Sequence, residues 1–115
     1  IDSDGNCRSL IPLLVGTGIN GISPCEVAAG MDIVTIRREY PRLVIMGGID
    51  KRRLAEDEGA IALEVLSKVP FMLSTGGYFP SVDHAVPPDV SLKNFKYYLS
   101  LTRRLCGWAH PESWA

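Results

Sequence analysis

Asp83 and His84 set a carboxylate and an imidazole side by side in the chain. Imidazole gives and takes protons near neutral pH, and a carboxylate can orient it or bind a polar group directly. The pair lies in the stretch Gly76-Gly77-Tyr78-Phe79-Pro80-Ser81-Val82-Asp83-His84-Ala85-Val86-Pro87-Pro88-Asp89-Val90-Ser91. Gly76 and Gly77 let the backbone turn or approach a ligand closely. Pro87 and Pro88 stiffen the exit, and Ser91 has the side chain of a helix cap. An apolar run at 71–73 precedes the stretch, and an amphipathic pattern follows it. The order predicts a strand, a long polar loop and a helix. Such loops, at the C-terminal ends of strands, are where α/β folds keep their chemistry.

Similar loops recur along the chain. Asp2-Ser3-Asp4-Gly5 is the first, and Ser23-Pro24-Cys25-Glu26 is the second. Gly47-Gly48-Ile49-Asp50 is the third, and the Asp83-His84 stretch is the fourth. The spacing of about 20 to 30 residues is that of one βα unit. Each loop offers chemistry with a structural alternative. His84 is read as an acid–base group; alternatively it bonds Asp83 or a backbone carbonyl and shapes the loop. Asp83 orients His84 or faces solvent. Tyr78 lines a pocket or packs as an ordinary aromatic. Glu26 is an acid, a base, a hydrogen-bond acceptor or a turn cap. Asp2 and Asp4 bind a cation or a polar substrate, or Asp4 caps its loop. Asp50 reads as a helix cap. Cys25 reads as an inert buried thiol, because no neighbour in sequence would lower its pKa. Lys51, Arg52 and Arg53 form a basic cluster that could attract substrate carboxylates, with a solvated face as its default reading.

The elements between the loops must position these groups. A helix is predicted over 7–15, with Leu10, Ile11 and Leu14 inward and Gly16 and Gly18 ending it. A short helix over 32–40 turns Ile33 and Ile36 inward and stops at Pro41. A longer one over 51–69, capped by Asp50, carries Ile61, Val65, Leu66 and Val69 at helical spacing and ends at Pro70. Ser91 opens the last, whose apolar face holds Leu92, Phe95, Tyr98, Leu99, Leu101 and Leu105. Strands are predicted at 43–46 and 71–73, both nearly continuously apolar, as parallel strands covered on two sides require. The tail 107–115 reads as irregular. There Trp108 is expected to cover apolar surface, and Cys106, His110 and Trp114 are given no site role.

Strands alternating with helices argue for a parallel α/β sheet. Four βα units are half of an eight-unit barrel, or a small open sheet. Neither a dinucleotide fingerprint nor a phosphate-binding Walker loop is present. The 115 residues fit one domain, with 46% hydrophobic and 22% charged residues. A net charge of −1 gives no electrostatic reason to expect nucleic acid as partner. No apolar run approaches the roughly 20 residues that span a bilayer, and no secretory signal is visible. Three widely spaced cysteines, Cys7, Cys25 and Cys106, read as free thiols of a cytoplasmic protein. Ile1 runs straight into the first loop, so the chain is expected to begin inside a longer protein.

Four motifs now come together: Asp4-Gly5-Asn6; Pro24-Cys25-Glu26 with Ala29-Gly30-Met31-Asp32; Gly47-Gly48-Ile49-Asp50-Lys51; and Gly76-Gly77-Tyr78 with Asp83-His84-Ala85-Val86-Pro87. In this order and spacing, across residues 1–106, they resemble the C-terminal half of the uroporphyrinogen decarboxylase family. That family includes cobalamin-dependent methyltransferases. The resemblance implies a (β/α)8 barrel, of which this chain would supply units five to eight. It implies a small-molecule substrate bound at the mouth, with His84 as catalytic residue and Tyr78, Asp83, Glu26 and Asp4 as substrate-binding residues. Decarboxylation in that family needs no cofactor. The partner implied is the N-terminal half-barrel or a second copy of the chain. The methyltransferase alternative would add a corrinoid protein, but Asp2 and Asp4 stand where those relatives carry a His-x-Cys zinc pair. Thiolate is the ligand such zinc sites use, so no metal is expected. A non-catalytic interaction module is the third reading.

Overall fold

The computed structural model describes residues 1–107. The tail residues Trp108, His110 and Trp114 lie outside them. The chain opens with a 3-10 turn, Arg8–Leu10, that runs into α1 (Ile11–Gly16). It continues through β1 (Gly21–Ile22), α2 (Ile33–Glu39), β2 (Val44–Ile49), α3 (Lys51–Leu54), α4 (Glu58–Thr75), β3 (Tyr78–Val82) and α5 (Leu92–Leu105). The protein is a mixed α/β fold with a three-stranded parallel sheet in sequential order β1-β2-β3. Beyond β1, Asp2 joins Ser23 in a single parallel bridge. The strand of the first of the four expected units is therefore present only as that bridge, while its helix is the turn and α1.

Register separates the two faces of the sheet. Ile22, Ile45 and Tyr78 stand abreast and are buried. Met46 and Phe79, one step on, also stand abreast but are 49% and 60% exposed. Ile33, Ile36, Ile61, Val65, Val69 and Met72 from α2 and α4 complete the core with Ile45 and Tyr78. One face is thus packed and the other is open at the Met46–Phe79 pair. Parallel sheets are otherwise covered on both faces.

Several sequence expectations shift. The run 71–73 is not a strand: it is the last part of α4, with Met72 fully buried. The spacing Ile61, Val65, Val69, Met72 carries the helix through Pro70. Pro70 and Leu66, whose carbonyl loses its amide donor, both lie on the exposed side, where water can serve that carbonyl. The strand is instead Tyr78–Val82, which had read as loop. It tolerates Pro80 because it is an edge strand.

Gly47 and Gly48 belong to β2 and not to a loop. Their φ values are 105° and 78°, and an added Cβ would sit 2.0 Å from the Pro24 carbonyl oxygen and 2.2 Å from Ile33 Cγ2. No side chain fits there. The helix expected over 51–69 breaks after α3. Asp57 recaps it by accepting from Ala60 N, and Asn94 of α5 donates to the freed carbonyls of Leu54 and Glu56. Leu10 and Leu92, expected inward, are 49% and 68% exposed; the buried centre of α5 is Tyr98 and Thr102. The expectations for α2 hold. Ile33 and Ile36 are fully buried, and Asp32 caps the helix by accepting from Thr35 N.

One buried cation holds the N-terminal end of the sheet. Arg37 on α2 donates to the carbonyls of Pro41 and Leu43 before β2, and to Gly76 and Gly77 before β3. Burial pulls its pKa below the ordinary arginine value. No sequence pattern had singled it out.

Candidate functional site

At the opposite end of the sheet, residues from all four strand-end loops converge. The backbone fixes the first two against each other. Ser3 N donates to Ser23 O at 2.9 Å, and Ser23 N donates to Ile1 O at 3.0 Å. Cys25, immediately before Glu26, takes a φ of 59°, a region costly for a residue with a side chain. Glu26 Oε1 then accepts from Gly5 N at 3.1 Å. Loop three begins at Asp50, which caps α3 through Arg52 N at 3.0 Å and also accepts from the Arg52 guanidinium. Loop four follows β3 directly, and Asp83 N donates to Ile49 O at 2.8 Å.

Lys51 is the hub. Its Nζ lies 3.5 Å from Glu26 Oε2 and 3.6 Å from Asp83 Oδ1. The ammonium nitrogen is buried and makes no hydrogen bond, so opposite charge on two sides is what balances its loss of water. Asp83 is fully buried. Its two oxygens accept from Lys51 N at 3.0 Å and Val27 N at 2.8 Å. His84 turns the other way and brings Nε2 to 3.3 Å from Asp4 Oδ1. The contacts close a ring: Asp4 to Gly5 along the chain, Gly5 to Glu26, Glu26 to Lys51, Lys51 to Asp83, Asp83 to His84 along the chain, and His84 back to Asp4.

A cleft of about 310 Å³ opens beside the ring. Asp4, His84, Ser23 and Ser81 give it polar groups, and Met46 and Val82 give it apolar surface. Its volume is at the lower limit of small-molecule pockets, about 300 Å³.

The electrostatics follow the contacts. The Gly5 N–H holds the Glu26 carboxyl below its ordinary pKa, with help from the Lys51 charge. Burial alone would raise Asp50, but hydrogen bonds from Arg52 outweigh it and hold that carboxyl low too. Burial pushes the Cys25 thiol up to about 12, so it carries no thiolate at neutral pH.

Of the residues singled out from sequence, Asp4, Glu26, Asp83 and His84 are brought together. Glu26 uses both oxygens to tie loops, which is the hydrogen-bond-acceptor reading. Asp83 neither faces solvent nor contacts the ring of His84; its oxygens are taken by two backbone N–H groups. Tyr78 is in the core and not in the cleft lining, with its hydroxyl donating to Gly47 O at 2.8 Å and its pKa raised by burial. Lys51 is the residue that sequence reasoning missed, since it lies inside the ring and not on a solvated face. Its position just after Asp50, at the end of a strand, was the available signal. Among the described residues, no three His, Cys, Asp or Glu side chains gather as a metal site, and no helix is long and apolar enough to cross a membrane.

No protein-family model matches this chain, and no match is found among curated proteins or solved structures.

Proposed function

We propose that this chain forms the C-terminal half of a uroporphyrinogen decarboxylase-like barrel and supplies part of its active site. The observation that carries the reading is the convergence of Asp4, Glu26, Lys51, Asp83 and His84, one or more from each strand-end loop, at the C-terminal end of parallel strands. That is where a barrel enzyme binds its substrate. The open Met46–Phe79 face is the surface a second half-barrel would cover. A cleft of about 310 Å³ is small for a tetrapyrrole, so the second half must also supply pocket wall.

The reaction replaces an acetate –CH2–CO2⁻ on a pyrrole with –CH3. A proton adds to the ring, and the C–CO2 bond breaks with its electron pair entering the cationic ring. CO2 leaves, the methylene carbon takes a proton, and the ring proton is lost. One proton is consumed per CO2. Carboxylates held in place near the ring stabilise its transient positive charge, and fixed charges need no reorganisation when it develops. His84, in contact with the cleft, is the proton carrier in this reading. No cofactor is needed, and a cytoplasmic setting suits the free thiols Cys7, Cys25 and Cys106.

The test is anaerobic incubation of the full-length protein that carries this chain with uroporphyrinogen III, following carboxylate loss by chromatography. Stepwise decarboxylation supports the reading. A folded protein with no turnover overturns it and turns attention to corrinoid-dependent methyl transfer on the same scaffold. The 115-residue chain alone is expected to be inactive and to self-associate through its open face and strand edges. A stable monomer in size-exclusion light scattering would contradict that.

A further inference from the structure

We propose that Asp4, and not the adjacent Asp83, is the positioning residue for His84, so that the first and fourth loops together present one proton-handling pair to the cleft. The inference rests on the proposed function only in taking this cleft as the reaction site.

Three observations carry it. Asp83 is committed elsewhere: it is fully buried, and its two oxygens accept from Val27 N and Lys51 N. Asp4 Oδ1 is 3.3 Å from His84 Nε2, and both residues line the same cleft. Asp4 is also held on both sides along the chain. Ser3 N donates to Ser23 O, and Gly5 N donates to Glu26 Oε1. Glu26 is itself held by Lys51, whose other neighbour is Asp83, one residue before His84. A short circuit of contacts thus fixes both members of the pair from outside the cleft. Such pairs are often loose without substrate and tighten once it binds.

The geometry has a chemical consequence. With Asp4 facing Nε2, that nitrogen is the one that carries hydrogen in the neutral ring. Nδ1 is then left as the nitrogen that takes or gives the substrate's proton. Asp2 lines the same cleft without a hydrogen bond or ion pair to His84, and the charge of His84 contributes last among the causes that hold the Glu26 carboxyl low.

The test reads the imidazole directly. Long-range ¹H–¹⁵N spectra of the full chain resolve its two histidines, and His84→Gln assigns the His84 signals. Asp4→Ala is expected to move the His84 Nε2 resonance, and Asp2→Asn is expected to leave it in place. An unmoved resonance in Asp4→Ala, or an equal movement in Asp2→Asn, overturns the pair. Asp4 is largely exposed, so the variant keeps its fold. In full-length protein, Asp4→Ala should lower kcat about tenfold with KM within about twofold. The double variant with His84→Gln should be no slower than His84→Gln alone. Additive losses would contradict the pairing. If the wild-type protein does not decarboxylate uroporphyrinogen, the proposed function falls, and the resonance shift still decides the pair.

Discussion

Each end of the sheet is organised by one buried cation, and the two cations face different partners. Arg37, at the N-terminal end, donates to four backbone carbonyls. Its partners are neutral and fixed, and it fastens the starts of β2 and β3. Lys51, at the C-terminal end, faces two carboxylates on separate loops at 3.5 and 3.6 Å, without a hydrogen bond. Its contacts are charged, longer and made to side chains. A guanidinium presents several donors in a fixed fork, which suits a permanent staple; an ammonium is a compact point charge that attracts groups from any direction. The N-terminal end is therefore built for stability. The C-terminal end gathers loops around a cleft, at some cost in stability.

Removing each cation should separate the two roles. Arg37→Met takes the donor from the buried Leu43 carbonyl and from the part-buried carbonyls of Pro41, Gly76 and Gly77, and so unfastens the starts of two strands. It should cost about 3–5 kcal/mol in urea unfolding, enough to unfold a marginal domain. A loss below about 1 kcal/mol would show that the staple is dispensable. Lys51→Met removes the countercharge from Asp83, which keeps its two backbone N–H donors. The expected loss is smaller, about 2–3 kcal/mol. A loss as large as that of Arg37→Met would erase the contrast between the ends.

Acid should open the C-terminal end first. Glu26 and Asp50 both have pKa values lowered in the folded protein. Their stabilisation is therefore present above the ordinary carboxylate pKa, about 4, and is lost as pH falls through the lower native values. Hydrogen exchange below about pH 4 should rise at the amides of Gly5 and Arg52, which donate to these carboxylates, before it rises at Leu43 and Ile45 beside Arg37, whose amides donate to Tyr40 O and Gly77 O. Exchange rising first beside Arg37 would contradict the assignment.

Sequence made much of the site legible because loops at strand ends carry their own punctuation. Asp4, Glu26, Asp50 and Asp83-His84 each lie within about three residues of a Gly or Pro that marks a turn. Lys51 was missed, because a lysine next to two arginines looks like a solvated face, and only the fold shows two carboxylates arriving from elsewhere. The strand at 78–82 was hidden by Pro80, which an edge position excuses, and by glycines that read as loop. The apolar run 71–73 suits a strand or a buried helix equally well, and only the spacing back to Ile61 decides between them. Arg37 was invisible for a related reason. Its partners are backbone carbonyls, which any sequence supplies.

The most direct test pairs stability with turnover in one variant, His84→Ala in the full-length protein. His84 is half-exposed and its contact across the loops is to the exposed Asp4, so its urea midpoint should stay within about 0.5 kcal/mol of wild type. Decarboxylation of uroporphyrinogen III should fall at least about a hundredfold, as for loss of a positioned acid–base group. Unchanged stability with lost turnover is the result the account predicts. Unchanged turnover, with or without a change in stability, would contradict it.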